Sequence, residues 1–354
     1  MINSGRNIVL MLVGVVMVAA LVGASQGGTA PAKPNPKPTP AATASPLSWA
    51  EVLEQNPDPK VVTDVAFLNR ITETKLPWRV KDKATGMEML LVPPGKFVMG
   101  MSPGDTEAVE VEKLFAEVLP KYKYSERPAH EVTITKAFYL GRTEVTQGQW
   151  MKVMGENPSE FQKGSNAERD RVIAKYIKEG LTKQKAQEKA GAESPNKLLM
   201  ASNPVEQVSW DDCQKFCAKT RMKLPTEAQW EYACRAGARK PRYGELGQIA
   251  WYENISDSTT HPVAKKAPNA LGFYDMIGNV AEWTNDWYEG DYYKSCEGGV
   301  VDPTGPAQRE LGARVLRGGG WYYRAPLCRA SARDFSAPGN QGSNISCRFA
   351  RTAD

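Results

Sequence analysis

Gly272-Phe273-Tyr274-Asp275-Met276-Ile277-Gly278-Asn279-Val280-Ala281-Glu282-Trp283 decides the kind of fold this chain can make. Its apolar side chains come in short runs interrupted by Gly278 and Asn279, so neither a long helix nor a long strand can be drawn through it. The same style holds from Arg239 onward, where Gly, Pro and Asn break the runs. Much of the C-terminal third must therefore be loop, held by aromatic side chains. Nine Trp and thirteen Tyr supply the bulk for such a core.

Upstream, local signals are sharper. Pro225-Thr226-Glu227-Ala228-Gln229 is a capping box: Thr226 caps, Gln229 reaches back, and the helix runs through Trp230, Tyr232 and Cys234 to a stop at Gly237. Ser209-Trp210-Asp211-Asp212 opens another helix, with Cys213 and Cys217 on one face. Thr146 caps a third, through Met154. Met87-Glu88-Met89-Leu90-Leu91-Val92 reads as a strand entering a tight turn at Pro93-Pro94-Gly95, with Lys96-Phe97-Val98-Met99-Gly100 as its return strand. Glu131-Val132-Thr133-Ile134-Thr135 alternates as a strand, and residues 138–144 continue the pattern. A helical insertion occupies about residues 160–200. Within it, residues 168–192 are rich in Lys, Arg, Glu and Ala, and Val172, Ile173, Tyr176, Ile177 and Leu181 fall at helical spacing. They predict one or two amphipathic surface helices, whose basic face reads as solvated rather than as a binding surface.

The N-terminus addresses the compartment. After Arg6, residues 8–24 carry no charged or polar side chain, and Val22 and Ala24 suit a signal-peptidase cut before Ser25. Residues 1–24 thus read as a signal peptide and the protein as periplasmic or extracellular, an uncleaved anchor being the alternative; membrane contact is expected only through that segment if it is retained. Residues 25–46 are a Pro-rich linker. Residues 47–75 look like a short helical lead-in, and the main domain is expected over 76–354. Charged residues are 24% of the chain and net charge is only +5, so no dense basic stripe exists for nucleic acid. The first of six cysteines is Cys213, which excludes a lipid anchor on an N-terminal cysteine. An even cysteine count suits disulfides in an oxidising compartment, with buried free thiols the other reading.

Seven stretches in order carry a resemblance. They are residues 91–100, Leu-Val-Pro-Pro-Gly-Lys-Phe-Val-Met-Gly; 126–132, Glu-Arg-Pro-Ala-His-Glu-Val; and 143–147, Thr-Glu-Val-Thr-Gln. Asn203-Pro204-Val205 with Val208-Ser209-Trp210 follows, then 224–232, Leu-Pro-Thr-Glu-Ala-Gln-Trp-Glu-Tyr; the 272–283 stretch; and Arg317-Gly318-Gly319-Gly320-Trp321. Together they resemble the formylglycine-generating-enzyme, or sulfatase-modifying-factor, family over about residues 78–351. That resemblance implies a compact α+β domain poor in regular secondary structure and related to C-type lectin folds.

It also implies a chemistry: oxidation of a target cysteine to formylglycine with oxygen and a copper(I) ion held by two thiolates five residues apart. Counting from Gly319, those positions are Tyr323 and Cys328. Only Cys328 retains a thiol as a candidate catalytic group, and a phenol is no substitute for a soft donor; copper is not expected. With a short gap, Cys328 instead falls beside the family's structural cysteine, which implies a Cys234–Cys328 disulfide. The family's calcium segment maps Asp275 and Glu282 as side-chain ligands and Gly278 and Val280 as carbonyl ligands, implying Ca²⁺, a hard cation suited to oxygen donors. Hydrogen bonding of Asp275 and Glu282 to loop amides is the alternative. His130 and His261 are the only histidines, and both suit ordinary structural roles.

Two functions compete. One is an exported cysteine oxidase maturing a sulfatase. The other is a diverged recognition or scaffold domain of the cell envelope, with a sulfatase-like or other envelope protein as partner. The absent thiol favours the second.

Overall fold

The computed structural model describes residues 47–118, 124–162, 166–193, 200–307 and 311–353. The expected signal and Pro-rich linker lie outside the described residues. Strand β1 (Ala50–Glu54) and helix α1 (Val65–Glu73) come first, followed by β2 (Arg79–Asp82), β3 (Glu88–Val92), β4 (Gly95–Met99), α2 (Thr106–Val118), β5 (His130–Ile134) and β6 (Phe138–Gly141). Helices α3 (Gln147–Met154), α4 (Asn166–Lys178), α5 (Lys183–Glu193), α6 (Trp210–Thr220), α7 (Glu227–Arg235) and α8 (Leu246–Ile249) fill the middle. The last part is short strands joined by long loops: β7 (Ala281–Trp287), β8 (Val300–Val301), β9 (Arg314–Arg317), β10 (Arg333–Ser336), β11 (Ile345–Cys347) and β12 (Ala350–Thr352).

Among the described residues these strands form three small sheets, ordered β1-β2-β3-β6-β12, β10-β9-β7-β11 and β4-β5-β8. The result is the expected α+β fold, with one large core around Trp150, Trp230, Trp283 and Tyr139. The three capped helices form as their sequences predict. Thr146 with Gln149, Ser209 with Asp212 and Thr226 with Gln229 each close a capping box. The insertion forms two helices, α4 and α5, packed on each other through Ile173, Tyr176 and Ala186.

Two expectations change. β3 and β4 are not a hairpin. β3 pairs with β2 and β6, while β4 pairs with β5. The intervening Pro93-Pro94 lacks both amide donors a tight hairpin turn would use, and the chain crosses from one sheet to the other. The lead-in over 47–75 is only partly helical, because Ala50–Glu54 is a strand on the edge of β2. Tertiary pairing there overrides a weak helical spacing. Nor is the lead-in separate from the main domain, since Leu47, Ala50, Val62, Phe67 and Ile71 are buried in the main core.

Candidate functional site

Gly318 and Gly319, both at positive φ, end β9 and turn the chain into Trp321, Tyr322 and Tyr323. A side chain is strained at both: a Cβ on Gly318 would sit 3.2 Å from Met276 O and 3.3 Å from the Trp230 ring, and one on Gly319 would meet Cys328 Sγ at 2.9 Å. The tripeptide after Gly320 is held by its backbone. Asn279 O accepts from Trp321 N at 2.7 Å, Ser256 Oγ donates to Trp321 O at 2.6 Å, and Tyr323 O accepts from Glu253 N at 3.0 Å.

Tyr323, at the first family thiol position, is buried and donates its hydroxyl to Asp334 Oδ2 at 2.5 Å. Burial, with the Asp334 charge, pushes its pKa well above the phenol range. Burial also raises Asp334. Cys328 is fully buried, and burial pushes its thiol up to about 12. Tyr323 is a hard oxygen and Cys328 the one thiol of the mapped pair, so the two positions lack the paired soft donors that copper(I) takes. Asp334 was not foreseeable from the sequence; its role appears only because β10 pairs with β9.

Cys234 and Cys328 stand as separate thiols. Cys234 Sγ lies 3.9 Å from Met276 O, and Cys328 Sγ lies 4.0 Å from Tyr323 O. The bridge implied by the resemblance is therefore not formed; each sulfur faces a different carbonyl. All six cysteines are buried and free.

The calcium segment folds as a tight loop, with Asp275 and Asn279 at positive φ alongside Gly278. Of the four mapped positions, Glu282 is engaged by protein partners. Both oxygens of Glu282 are committed, to Arg348 Nε (3.1 and 3.0 Å), to Arg348 Nη2 (2.7 Å) and to Trp230 Nε1 (2.7 Å). Arg348 also donates to the carbonyls of Gly141, Tyr274 and Asp275. A guanidinium thus supplies positive charge beside Glu282 in this loop. Asp275 Oδ2 accepts from Ala264 N at 2.7 Å, whereas its Oδ1 is buried without a partner. Gly278 is needed for space, because a Cβ there would run into the Trp251 backbone. Beneath the loop, Glu144 accepts from Asn279 Nδ2 and Val280 N. Burial, then repulsion by Asp275 and Glu282, raises its pKa well above the carboxylate range.

Around this frame lie the half-buried rings of Trp251, Trp321 and Tyr322, with Phe161 buried beside them. The Trp321 ring meets Phe161 edge-on at 5.3 Å and Tyr322 at 5.2 Å, and Trp251 stacks on His261 at 3.7 Å. Arg171 from α4 lies over Phe161 at 5.2 Å, and Lys266 lies over Trp251 at 4.0 Å. The insertion, read from the sequence as a solvated surface element, thereby places a cation beside these rings. His261 has an ordinary structural role: Nε2 faces Ser256 O at 2.8 Å, and burial lowers its pKa. His130 faces Pro128 O through Nδ1 at 2.9 Å.

Comparison with known proteins matches residues 76–353 to the family described as "Sulfatase-modifying factor enzyme 1-like domain". A formylglycine-generating enzyme of Streptomyces coelicolor is 35% identical over 173 residues, 43% of this chain and 54% of that protein. A protein of Chlamydia caviae named serine/threonine-protein kinase pkn1 is 30% identical over 277 residues, 77% of this chain. The chain spans only 39% of that relative's length. Among solved structures, PvdO from Pseudomonas aeruginosa superposes with a TM-score of 0.55 at 25% identity, covering 77% of this chain and 97% of PvdO.

Proposed function

This chain belongs to the sulfatase-modifying-factor family, and from that premise we propose that it is a diverged, exported member that recognises or scaffolds another envelope protein instead of oxidising a cysteine. Tyr323 carries this reading. It stands where the resemblance calls for a copper-binding thiolate, and its hydroxyl is already satisfied by buried Asp334. Half-buried Trp251, Trp321 and Tyr322, with Lys266 over Trp251 and Arg171 over buried Phe161, suit contact with a protein segment bearing apolar and acidic side chains. Relatives named formylglycine-generating enzyme and serine/threonine-protein kinase show that proteins similar to this domain carry different activity names. A sulfatase-like protein remains the partner suggested by family. The run over residues 8–24 supports export.

Copper(I) titration against a competing chelator, followed by mass spectrometry of a Cys-x-Pro-x-Arg peptide after aerobic incubation, tests the reading. The expected result is no tight copper and no aldehyde. Stoichiometric copper with conversion of the thiol would instead establish the oxidase, with Cys328 as a surviving catalytic group. Tyr323→Cys is expected to bind no copper either, because Cys328 is buried against Gly319.

A further inference from the structure

Helix α1 precedes the family match, yet it forms one wall of a cavity of about 530 Å³. Facing walls come from β4 and α7. The lining is aromatic at depth. Phe67 from α1 and Phe97 from β4 lie 5.9 and 5.2 Å from the ring of Tyr232. Nearer the mouth, Val98 is 59% exposed, an uncovered apolar side chain at the rim.

Two polar groups in this cavity lack partners. Tyr232 is 1% exposed, and its Oη makes no hydrogen bond. Arg70 lies over the Phe67 ring at 4.3 Å, and its Nε is buried without a hydrogen-bond partner. Both converge above Gly95. A Cβ there would collide with Tyr232 Oη and lie 3.3 Å from Arg70 Nη1. Glycine at 95 is what lets the hydroxyl and the guanidinium share that space. Of the other charges lining the cavity, Arg239 lies exposed at its edge and the rest have partners. Arg235 is paired with Glu231 at 2.7 Å, Lys96 with Glu131 at 2.8 Å, and Asp64 accepts from the first amides of α1.

We propose that this cavity is a second binding site, built by the lead-in helix, for a small organic anion with a flat apolar body. Its oxyanion would accept from Tyr232 Oη and Arg70, while its body would lie against Phe67 and Phe97. A buried phenol Oη and a buried guanidinium Nε left unpaired carry a desolvation cost that a carboxylate relieves. The volume falls within the range of small-molecule sites. None of the residues on the aromatic face around Trp321 takes part, so the proposal stands apart from the recognition reading.

Titration calorimetry of the full chain with 2-naphthoate tests it, with 2-naphthalenemethanol as the neutral comparison and decanoate as the flexible one. Naphthoate should bind saturably, and each comparison compound at least tenfold more weakly. Arg70→Met keeps an apolar stem over Phe67 and should weaken naphthoate about tenfold without lowering the melting temperature by more than a few degrees. Tyr232→Phe should weaken it similarly. If Tyr232→Phe disturbs the core, Val98→Trp at the exposed rim gives an independent reading by narrowing the mouth, and should also weaken binding. Equal affinity for the alcohol, or naphthoate binding unchanged by both Arg70→Met and Val98→Trp, would overturn the site. Decanoate binding as tightly as naphthoate would overturn the flat-body assignment.

Discussion

Arg348 ties the loop over residues 275–282 to its surroundings with one side chain. Its guanidinium is fully buried and ties Glu282 to the carbonyls of Gly141, Tyr274 and Asp275. Removing one partner of such a pair leaves a buried charge, at a cost of about 3–5 kcal/mol. Arg348→Met should therefore lower unfolding free energy by about that much in urea titrations, whereas a chelator should leave the wild-type melting temperature unchanged. A chelator-dependent drop would show that a metal, and not Arg348 alone, closes the loop. Asp286 makes a pH prediction. Burial, with Glu227 nearby, raises its pKa from the usual carboxylate range to about 8. The native state then holds a proton that the unfolded chain releases between about pH 4 and 8. This contribution is complete at low pH and is lost as pH rises through 8. Asp286→Asn keeps an acceptor for Glu227 N, which Asp286 Oδ2 binds at 2.9 Å. Its stability relative to wild type should rise between pH 5 and 8, by at most about 1.4 kcal/mol per pH unit. A pH-independent difference between the two proteins would refute the raised pKa.

Helix α7 carries more of the molecule than its nine residues suggest. Glu227 pairs with Arg333 at 2.7 Å, Glu231 pairs with Arg235 and Arg317, Trp230 donates to Glu282, and Tyr232 lines the α1 cavity. Burial alone would raise Glu227, but the Arg333 and Arg317 charges hold its pKa below the usual value. The helix begins at a reciprocal cap, with Gln229 N donating to Thr226 Oγ1 at 3.1 Å and Thr226 N to Gln229 Oε1 at 3.0 Å. Thr226→Ala should cost about 1 kcal/mol, read from the urea midpoint. A loss well above 2 kcal/mol would mean that the cap also positions the buried ion pairs. This helix was legible in the sequence down to its cap. Its carboxylates were legible only where Glu231 meets Arg235 four residues on; their other arginine partners, Arg317 and Arg333, arrive from β9 and β10.

At the scale of the molecule, the family match begins at residue 76, but the folded unit begins earlier. β1 covers the edge of β2, and Leu47, Val62, Phe67 and Ile71 lie in the common core. Burying such side chains contributes about 1.5–3 kcal/mol each, so together they rival the 5–15 kcal/mol of a whole domain. Deleting residues 1–75 should therefore abolish a cooperative thermal transition by circular dichroism. A truncated chain melting with the full chain would show instead that the lead-in is an appendage.

The sequence by itself determined the family, the α+β class, the three capped helices and the absence of a thiol at position 323. Each is local: a capping box closes between residues three apart, and a missing sulfur is missing in any fold. Tertiary structure alone decided the rest. β4 turned away from β3 to pair with β5, Tyr323 found Asp334, Arg348 paired with Glu282, and Cys234 and Cys328 remained apart. In a domain so poor in regular elements, loops are fixed by contacts between residues far apart in the chain. Arg348 reaches Glu282 across 66 positions and Gly141 across 207. No periodicity or spacing encodes such a partner; it is selected when the core closes and every buried charge must meet an opposite charge or a hydrogen bond.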